Sequence, residues 1–227
     1  RFKRFVARHE GWRTNLNTKN KIAVLLPSRG LIHSRTVDSV WENIMDLPPT
    51  FEFKLLFTHD LPIPDAQNNL VERSLDYGAD YFWFVEEDNL IPQGTLIKML
   101  NAIQEHDRAI VAVDYPVGEK GYSTIRREES KILWSGLGCT LAKRFIFEEM
   151  EKPWFRTDKS MKIISHKPLK LEEIDVPNKY GGHDINFGLA LNRLGISIYQ
   201  LPNVIAGHMR LEELGLRGTN QGLHKVK

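Results

Sequence analysis

Tyr81-Phe82-Trp83-Phe84-Val85 runs straight into Glu86-Glu87-Asp88, and that junction limits what the chain can fold into. An unbroken apolar run of this length, closed by turn residues, predicts a strand buried on both faces. In open α/β sheets, ligands bind at the carboxyl ends of the strands. The acidic triplet sits at such an end. Neighbouring carboxylates repel one another unless a positive charge answers them. A hard divalent cation suits, because Mg²⁺ or Mn²⁺ takes oxygen ligands and shares them with substrate phosphates. The competing reading is a solvated acidic turn before a helix. Acidic residues also suit a helix N-terminus, and Pro92 fits a first helical position.

The flanking segments repeat the pattern. Lys21 to Pro27 predicts a second buried strand, with Ser28-Arg29-Gly30 as its turn. Residues 33–46 predict a helix with Val37, Val40, Trp41, Ile44 and Met45 on one face. Phe51 to Phe57 predicts a third strand, ending in Thr58-His59-Asp60. Asp65 is expected to cap a helix that Gly78 ends. A helix from Gln93 to Glu105 turns Leu96, Met99, Leu100 and Ile103 inward, and Arg108 to Asp114 predicts another buried strand. Strands and helices alternating from 21 to 114 predict an α/β fold, with a mostly parallel sheet and helices on both faces. The same alternation puts Pro27, Ser28 and Arg29 on one sheet edge with the acidic triplet. Arg29 would meet a phosphate or nucleobase there. Asp60, at another carboxyl end, would accept from a ribose hydroxyl or a base N–H. Arg73 and Glu87 are further donor-binding candidates.

After Asp114 the pattern changes. Residues 115–135 are polar. Ser135 to Leu141 reads as a short strand entered through Gly136 and Gly138, which permit close approach. A helix over 143–151 follows, and 156–179 is a charged hairpin or loop. Tyr180-Gly181-Gly182-His183-Asp184 introduces a helix with Ile185, Phe187, Leu189, Leu191 and Leu194 as its apolar positions. Ile196 to Leu201 is the last strand. Residues 1–20 read as a basic N-terminal arm. Residues 21–210 read as a single domain with a nucleotide-binding half (21–114) and an acceptor half (115–210). Residues 211–227 read as a C-terminal tail, solvated at Arg217; the competing reading has Arg210 and Arg217 closing over the diphosphate as a lid.

Net charge is only +2, from 31 Lys plus Arg against 29 Asp plus Glu, so no global field draws the chain to nucleic acid or to a membrane surface. The single cysteine, Cys139, rules out an internal disulfide and a Cys-based zinc site. With no apolar segment near spanning length, these features predict a soluble, cytoplasmic protein.

Taken in order, the features resemble those of the GT-A-fold glycosyltransferases, which use nucleotide-sugar donors. Pro27-Ser28-Arg29-Gly30 looks like the first nucleotide-binding turn of that fold, and Glu86-Glu87-Asp88 like its Asp-x-Asp metal motif. Ser135-Gly136-Leu137-Gly138 with Ala142 to Phe147 looks like the segment bordering the donor sugar. Gly182-His183-Asp184 is similar to the acceptor-side acidic motif of inverting members, and Gly207-His208 to the position of a further metal ligand. The first acidic position is Glu86 rather than Asp, one methylene longer. His183-Asp184 stands where the family often has two acidic residues. The resemblance implies a metal-dependent hexosyltransferase. Asp88, Glu86 and His208 would be its Mn²⁺ (or Mg²⁺) ligands, Asp184 its base, a UDP-sugar its favoured donor and an acceptor hydroxyl its second substrate, with inversion favoured. A His ligand favours Mn²⁺ over Mg²⁺.

Two rival functions share these features. A sugar-nucleotide nucleotidyltransferase also uses sheet-edge carboxylates and a metal, but usually carries a longer glycine-rich loop after its first strand. A non-catalytic carbohydrate- or nucleotide-binding module would keep its ligand affinity without Asp184.

Overall fold

The computed structural model describes residues 19–117, 121–128, 131–166, 169–175 and 182–209. The expected N-terminal arm (to residue 18) and the lid with Arg210 and Arg217 lie outside the described residues. In chain order, β1 (Asn20–Pro27), α1 (Ser34–Met45), β2 (Phe51–Thr58), α2 (Ile63–Tyr77) and β3 (Tyr81–Val85) come first. The short β4 (Asn89–Leu90), then α3 (Thr95–Glu105) and β5 (Ile110–Asp114), follow. Next are β6 (Pro116–Val117), β7 (Gly121–Tyr122), β8 (Thr124–Glu128), β9 (Lys131–Ser135), β10 (Cys139–Lys143) and α4 (Phe145–Glu149). The hairpin of β11 (Lys159–His166) and β12 (Leu169–Asp175), α5 (His183–Arg193), β13 (Ile198–Ile205) and β14 (Gly207–His208) complete the order.

The central sheet has six strands in the order β13-β5-β10-β3-β1-β2. β1 pairs parallel with β2 and β3, and β13 pairs parallel with β5. β10 runs antiparallel between β3 and β5. This is the mostly parallel α/β sheet that the sequence predicts. Side chains alternate across it, as the period of a strand requires. Phe82 and Phe84 of β3 face one core with Leu70 and Val71 of α2, Phe147 of α4 and Phe187 of α5. Trp83 and Val85 face the other, with Val40 and Ile44 of α1 and Leu96, Met99 and Ile103 of α3. Gly78 ends α2 in the left-handed conformation (φ 74°) that glycine adopts without steric cost.

Some expectations need correcting. α1 buries only part of the predicted apolar face: Val40 and Ile44 are buried, whereas Val37, Trp41 and Met45 are exposed and Thr36 and Asn43 are buried instead. α2 starts at Ile63 with Pro62 rather than Asp65 at its cap. α4 covers only Phe145–Glu149, and the last large strand runs on from Ile198 to Ile205.

Candidate active site

The site lies beyond the carboxyl end of β3, where turns from several elements converge. Asp88 and His208 meet there although they are far apart in the chain. β14 pairs antiparallel with β4, setting His208 opposite Asn89, and the Met209 N–H donates to the Asp88 carbonyl at 2.8 Å. This short ladder leaves His208 Nε2 3.3 Å from Asp88 Oδ2.

The other ring nitrogen, Nδ1, lies 2.9 Å from the Pro116 carbonyl, which can only accept. In a neutral ring Nδ1 therefore carries the proton, and the Nε2 lone pair faces the carboxylate. Two acceptors face to face need a cation between them. A proton meets that need, and the hydrogen bond to Asp88 raises the His208 pKa above its ordinary value, against the opposing effect of burial. A divalent ion would meet it equally. Two donors each about 2.1 Å from one ion, at a right angle, stand about 3 Å apart, close to the separation observed. The pair therefore fits an oxygen- and nitrogen-ligated ion.

Glu86 adds negative charge beside this pair. Burial, followed by repulsion from Asp88 and Asp184, pushes its carboxyl up to about 7. His208 and the Tyr115 hydroxyl, at 3.4 Å, oppose that rise. Tyr115 is itself held well above its ordinary value, first by burial and then by Glu86 and Asp184. Its ring packs edge-on against His208, with centroids 5.4 Å apart. Among the described residues no set of three His, Cys, Asp or Glu side chains is gathered tightly enough to cage an ion alone. Of the three residues expected as ligands, Asp88 and His208 are in direct contact and Glu86 lies beside them. An ion held by such a pair would leave further coordination positions to water or to substrate oxygens, the usual manner of Mg²⁺-type sites.

Asp184 reaches the same cluster through the packing of α5. Phe187, three residues on, stacks on Phe147 (5.8 Å, 7° between planes), and Phe147 stacks on Phe82 of β3. Gly188 lets α5 close onto β9, since a Cβ there would stand 2.5 Å from that of Trp134. Gly182 is the N-cap, and Asp184 lies in the first turn of the helix, half-buried. Its neighbour His183 finds no hydrogen-bond partner for either ring nitrogen among the described residues, and burial lowers its pKa.

The donor-side candidates divide. Glu87 turns away from Glu86 and Asp88, and its carboxylate accepts from both the backbone N–H (2.9 Å) and the side chain of Arg29. The expected adjacency of the first turn and the acidic triplet is therefore present, as an ion pair between two predicted ligand-binding residues. Asp60 has φ 57°, and its carboxylate lies 3.8 Å from where a Gly30 Cβ would stand, so the ends of β1 and β2 come together. Pro27 is buried, and the Ser28 hydroxyl accepts from the Gly30 N–H at 3.0 Å, closing the turn. Arg73 donates to the Phe57 carbonyl at 2.6 Å, capping the end of β2, and makes no described contact with the acidic turn.

The chain is similar to A197 from STIV, with TM-score 0.58 and 19% identity over 84% of this chain and 85% of that one. It is similar to GalNAc-T7 solved with UDP, GalNAc and Mn²⁺ (TM-score 0.56, 11% identity, 87% of this chain, 45% of that one). It is also similar to S. aureus TarS 1-349 in complex with UDP (TM-score 0.53, 15% identity, 85% of this chain, 62% of that one). The fold is GT-A-like. No family model matches the sequence, and no curated protein does. At these identities the likeness is one of fold. No helix among the described residues is long and apolar enough to cross a membrane.

Tyr115 escaped the sequence reading, because it lies in a polar stretch and its partner Glu86 is 29 residues away. Thr36, Ser39 and Asn43 escaped it as well, since they look like the outer face of an amphipathic helix.

The Glu86 carboxyl carries a pH prediction. Its folded pKa, about 7, exceeds the ordinary 4.5, so folding favours the protonated form. That contribution is fully present below pH 4.5 and is lost as pH rises through 7. The shift corresponds to at most about 3.5 kcal/mol, and solvent screening of the partly exposed Glu86 side chain brings it to roughly 1–2 kcal/mol. In metal-free protein, Glu86→Gln is therefore expected to gain melting temperature relative to wild type at pH 8 and to show little difference at pH 4. A difference that is flat with pH would remove Glu86 as a buried acid.

Proposed function

We propose that this chain is a metal-dependent glycosyltransferase, moving a sugar from a nucleoside-diphosphate sugar, with a UDP-sugar favoured, to an acceptor hydroxyl. The observation that carries the reading is the Asp88–His208 pair, set beside Glu86 and Asp184 at the carboxyl end of the central strand. Fold neighbours solved with UDP, and one also with Mn²⁺, support the choice of donor and ion.

Asp88 and His208 would hold Mn²⁺, which supplies positive charge to the departing diphosphate as the glycosidic bond breaks. Asp60, with its carboxylate at the mouth of β1 and β2, accepts from the nucleoside. Arg29 and Glu87 lock the first turn to the acidic turn and so fix the floor on which the donor lies. Asp184 accepts the proton of the acceptor hydroxyl as that oxygen attacks the anomeric carbon from the face opposite the leaving group, which inverts the centre. In this reading residues 21–114 bind the donor and 115–210 shape the acceptor side.

The test is a screen of UDP-, GDP- and TDP-sugars for nucleoside diphosphate release, with and without Mn²⁺. Mn²⁺-dependent release from one donor is expected, and no release from any of them counts against the proposal. Asp184→Asn separates the roles. Transfer should fall about 10²–10⁴-fold, the range for a lost general base, while donor affinity measured by calorimetry stays within a factor of two (about 0.4 kcal/mol). Equal losses of both would remove Asp184 as the base.

A further inference from the structure

The acidic turn has little structure of its own. Among the described residues its own bonds are the Asn89 N–H to the Glu86 carbonyl (3.2 Å), the Thr95 N–H and hydroxyl to the Pro92 carbonyl (3.2 and 2.6 Å), and the two-residue strand β4. The Glu86 N–H goes to the Gly138 carbonyl and the Asp88 carbonyl accepts from the Met209 N–H, while one helix answers the backbone at Glu87, Ile91 and Pro92. On α1, Thr36 Oγ1 donates to the Glu87 carbonyl at 3.0 Å, and Ser39 Oγ accepts from the Ile91 N–H at 3.2 Å. Asn43 Nδ2 donates to the Pro92 carbonyl at 3.1 Å and reaches the Ile91 carbonyl at 3.4 Å, while Asn43 Oδ1 accepts from the Leu96 N–H at 3.0 Å. Thr36 and Asn43 are wholly buried.

Spacings of three and four place these side chains on one face of α1. Val40 and Ile44 on the adjoining stripe bed the helix into the core, so the polar face is held rigidly against the turn. A buried polar side chain is costly unless its partners are in place. Within α1, Ser39 Oγ donates to the Thr36 carbonyl (2.9 Å) and Asn43 Nδ2 to the Ser39 carbonyl (2.9 Å); the Thr36 hydroxyl and Asn43 Oδ1, both buried, find their described partners outside the helix, at Glu87 and Leu96. Arg29 adds a brace from the other side through the Glu87 carboxylate.

We propose that Thr36, Ser39 and Asn43 are positioning residues: they clamp residues 87–96 in the shape that turns Asp88 toward His208, and so set the affinity of the site for its ion. The inference about affinity rests on the metal reading of Asp88 and His208, whereas the clamp itself does not. The shape of the turn reaches Asp88 through both neighbours. Glu87 is held on one side, and Ile91 anchors the far end of β4, the strand that pairs with the strand bearing His208.

Thr36→Val is the informative variant, because it keeps the side-chain shape and removes only the hydroxyl. Thr36→Ser, which keeps the hydroxyl, is its rescue. Two measurements on the full chain decide the matter. The first is amide hydrogen exchange in metal-free protein, comparing Asn89 and Ile91 with the β1 amides of Val24 and Leu25. The second is titration with Mn²⁺ alone, read from the paramagnetic resonance of the free ion. In Thr36→Val, protection at Asn89 and Ile91 should fall at least about tenfold, with β1 unchanged. Mn²⁺ affinity should fall about tenfold, the lower end for a residue that orients a ligand. Thr36→Ser should stay within about twofold of wild type on both counts. Unchanged protection at Asn89 and Ile91 would overturn the clamp. So would a loss shared equally by β1, which would mean general destabilisation. Unchanged Mn²⁺ affinity with lost protection would overturn the link to the ion. Wild-type protein that binds no Mn²⁺ would end the metal reading, and the exchange result would still decide the clamp.

Discussion

Asp88→Asn is expected to lower Mn²⁺-dependent donor cleavage by about 10²–10³-fold, the scale of losing one charge-stabilising group at a reacting centre. The substitution keeps volume and shape and removes the negative charge facing His208 across 3.3 Å. Asp88 is half-buried and its carbonyl contact to the Met209 N–H is made by the backbone, so the fold should survive. A second readout does not depend on turnover. The hydrogen bond to Asp88 is the foremost cause of the raised His208 pKa. In Asp88→Asn that pKa should fall toward the ordinary imidazole range, measurable as the proton-resonance midpoint of His208 in metal-free protein. Undiminished turnover would contradict the assignment of the ion to Asp88. An unmoved His208 midpoint would contradict the geometry itself.

How far the fold was legible from sequence depends on the range of the interactions. The continuous apolar run of β3 announced burial on both faces, and Phe82 and Phe84 indeed face one core while Trp83 and Val85 face the other. That signal is local, because strand period and residue type suffice. The inner face of α1 is only half legible, for the opposite reason: Val40 and Ile44 are inside as periodicity predicts, but two polar residues share that face with them. Thr36 and Asn43 are polar, so periodicity assigns them to solvent, yet their partners lie 51 and 48 residues away on the acidic turn. Periodicity puts Val37, Trp41 and Met45 inside, and they are exposed. The triplet shows the limit of adjacency. Three carboxylates in a row suggest one site, but the chain turns Glu87 away to Arg29 and leaves Glu86 beside Asp88. His208 was expected only from the order of the motifs. The two-residue ladder that delivers it is too short to leave a periodic trace.

Gly138→Ala tests how tightly the site is built. A Cβ at Gly138 would stand 1.7 Å from Asn89 Nδ2 and 2.7 Å from Tyr115 Cε1. Neither can retreat, since Asn89 is fully buried and Tyr115 is 5% exposed. Overpacking against rigid neighbours costs about 3 kcal/mol, or a fall in Tm of roughly 6–12 °C for a chain of this size. The strain falls on Asn89, the residue after Asp88 and the one paired with His208, so Mn²⁺ affinity should drop together with stability. The Asn89 amide finds no hydrogen-bond partner among the described residues, so truncating it sacrifices none of the described bonds. Gly138→Ala combined with Asn89→Ala should therefore recover part of the lost Tm, with the Tyr115 contact keeping the recovery incomplete. Gly138→Ala melting at the wild-type temperature would mean that the two side chains are not wedged against this backbone, and the close-packed wall behind Asp88 would have to be abandoned.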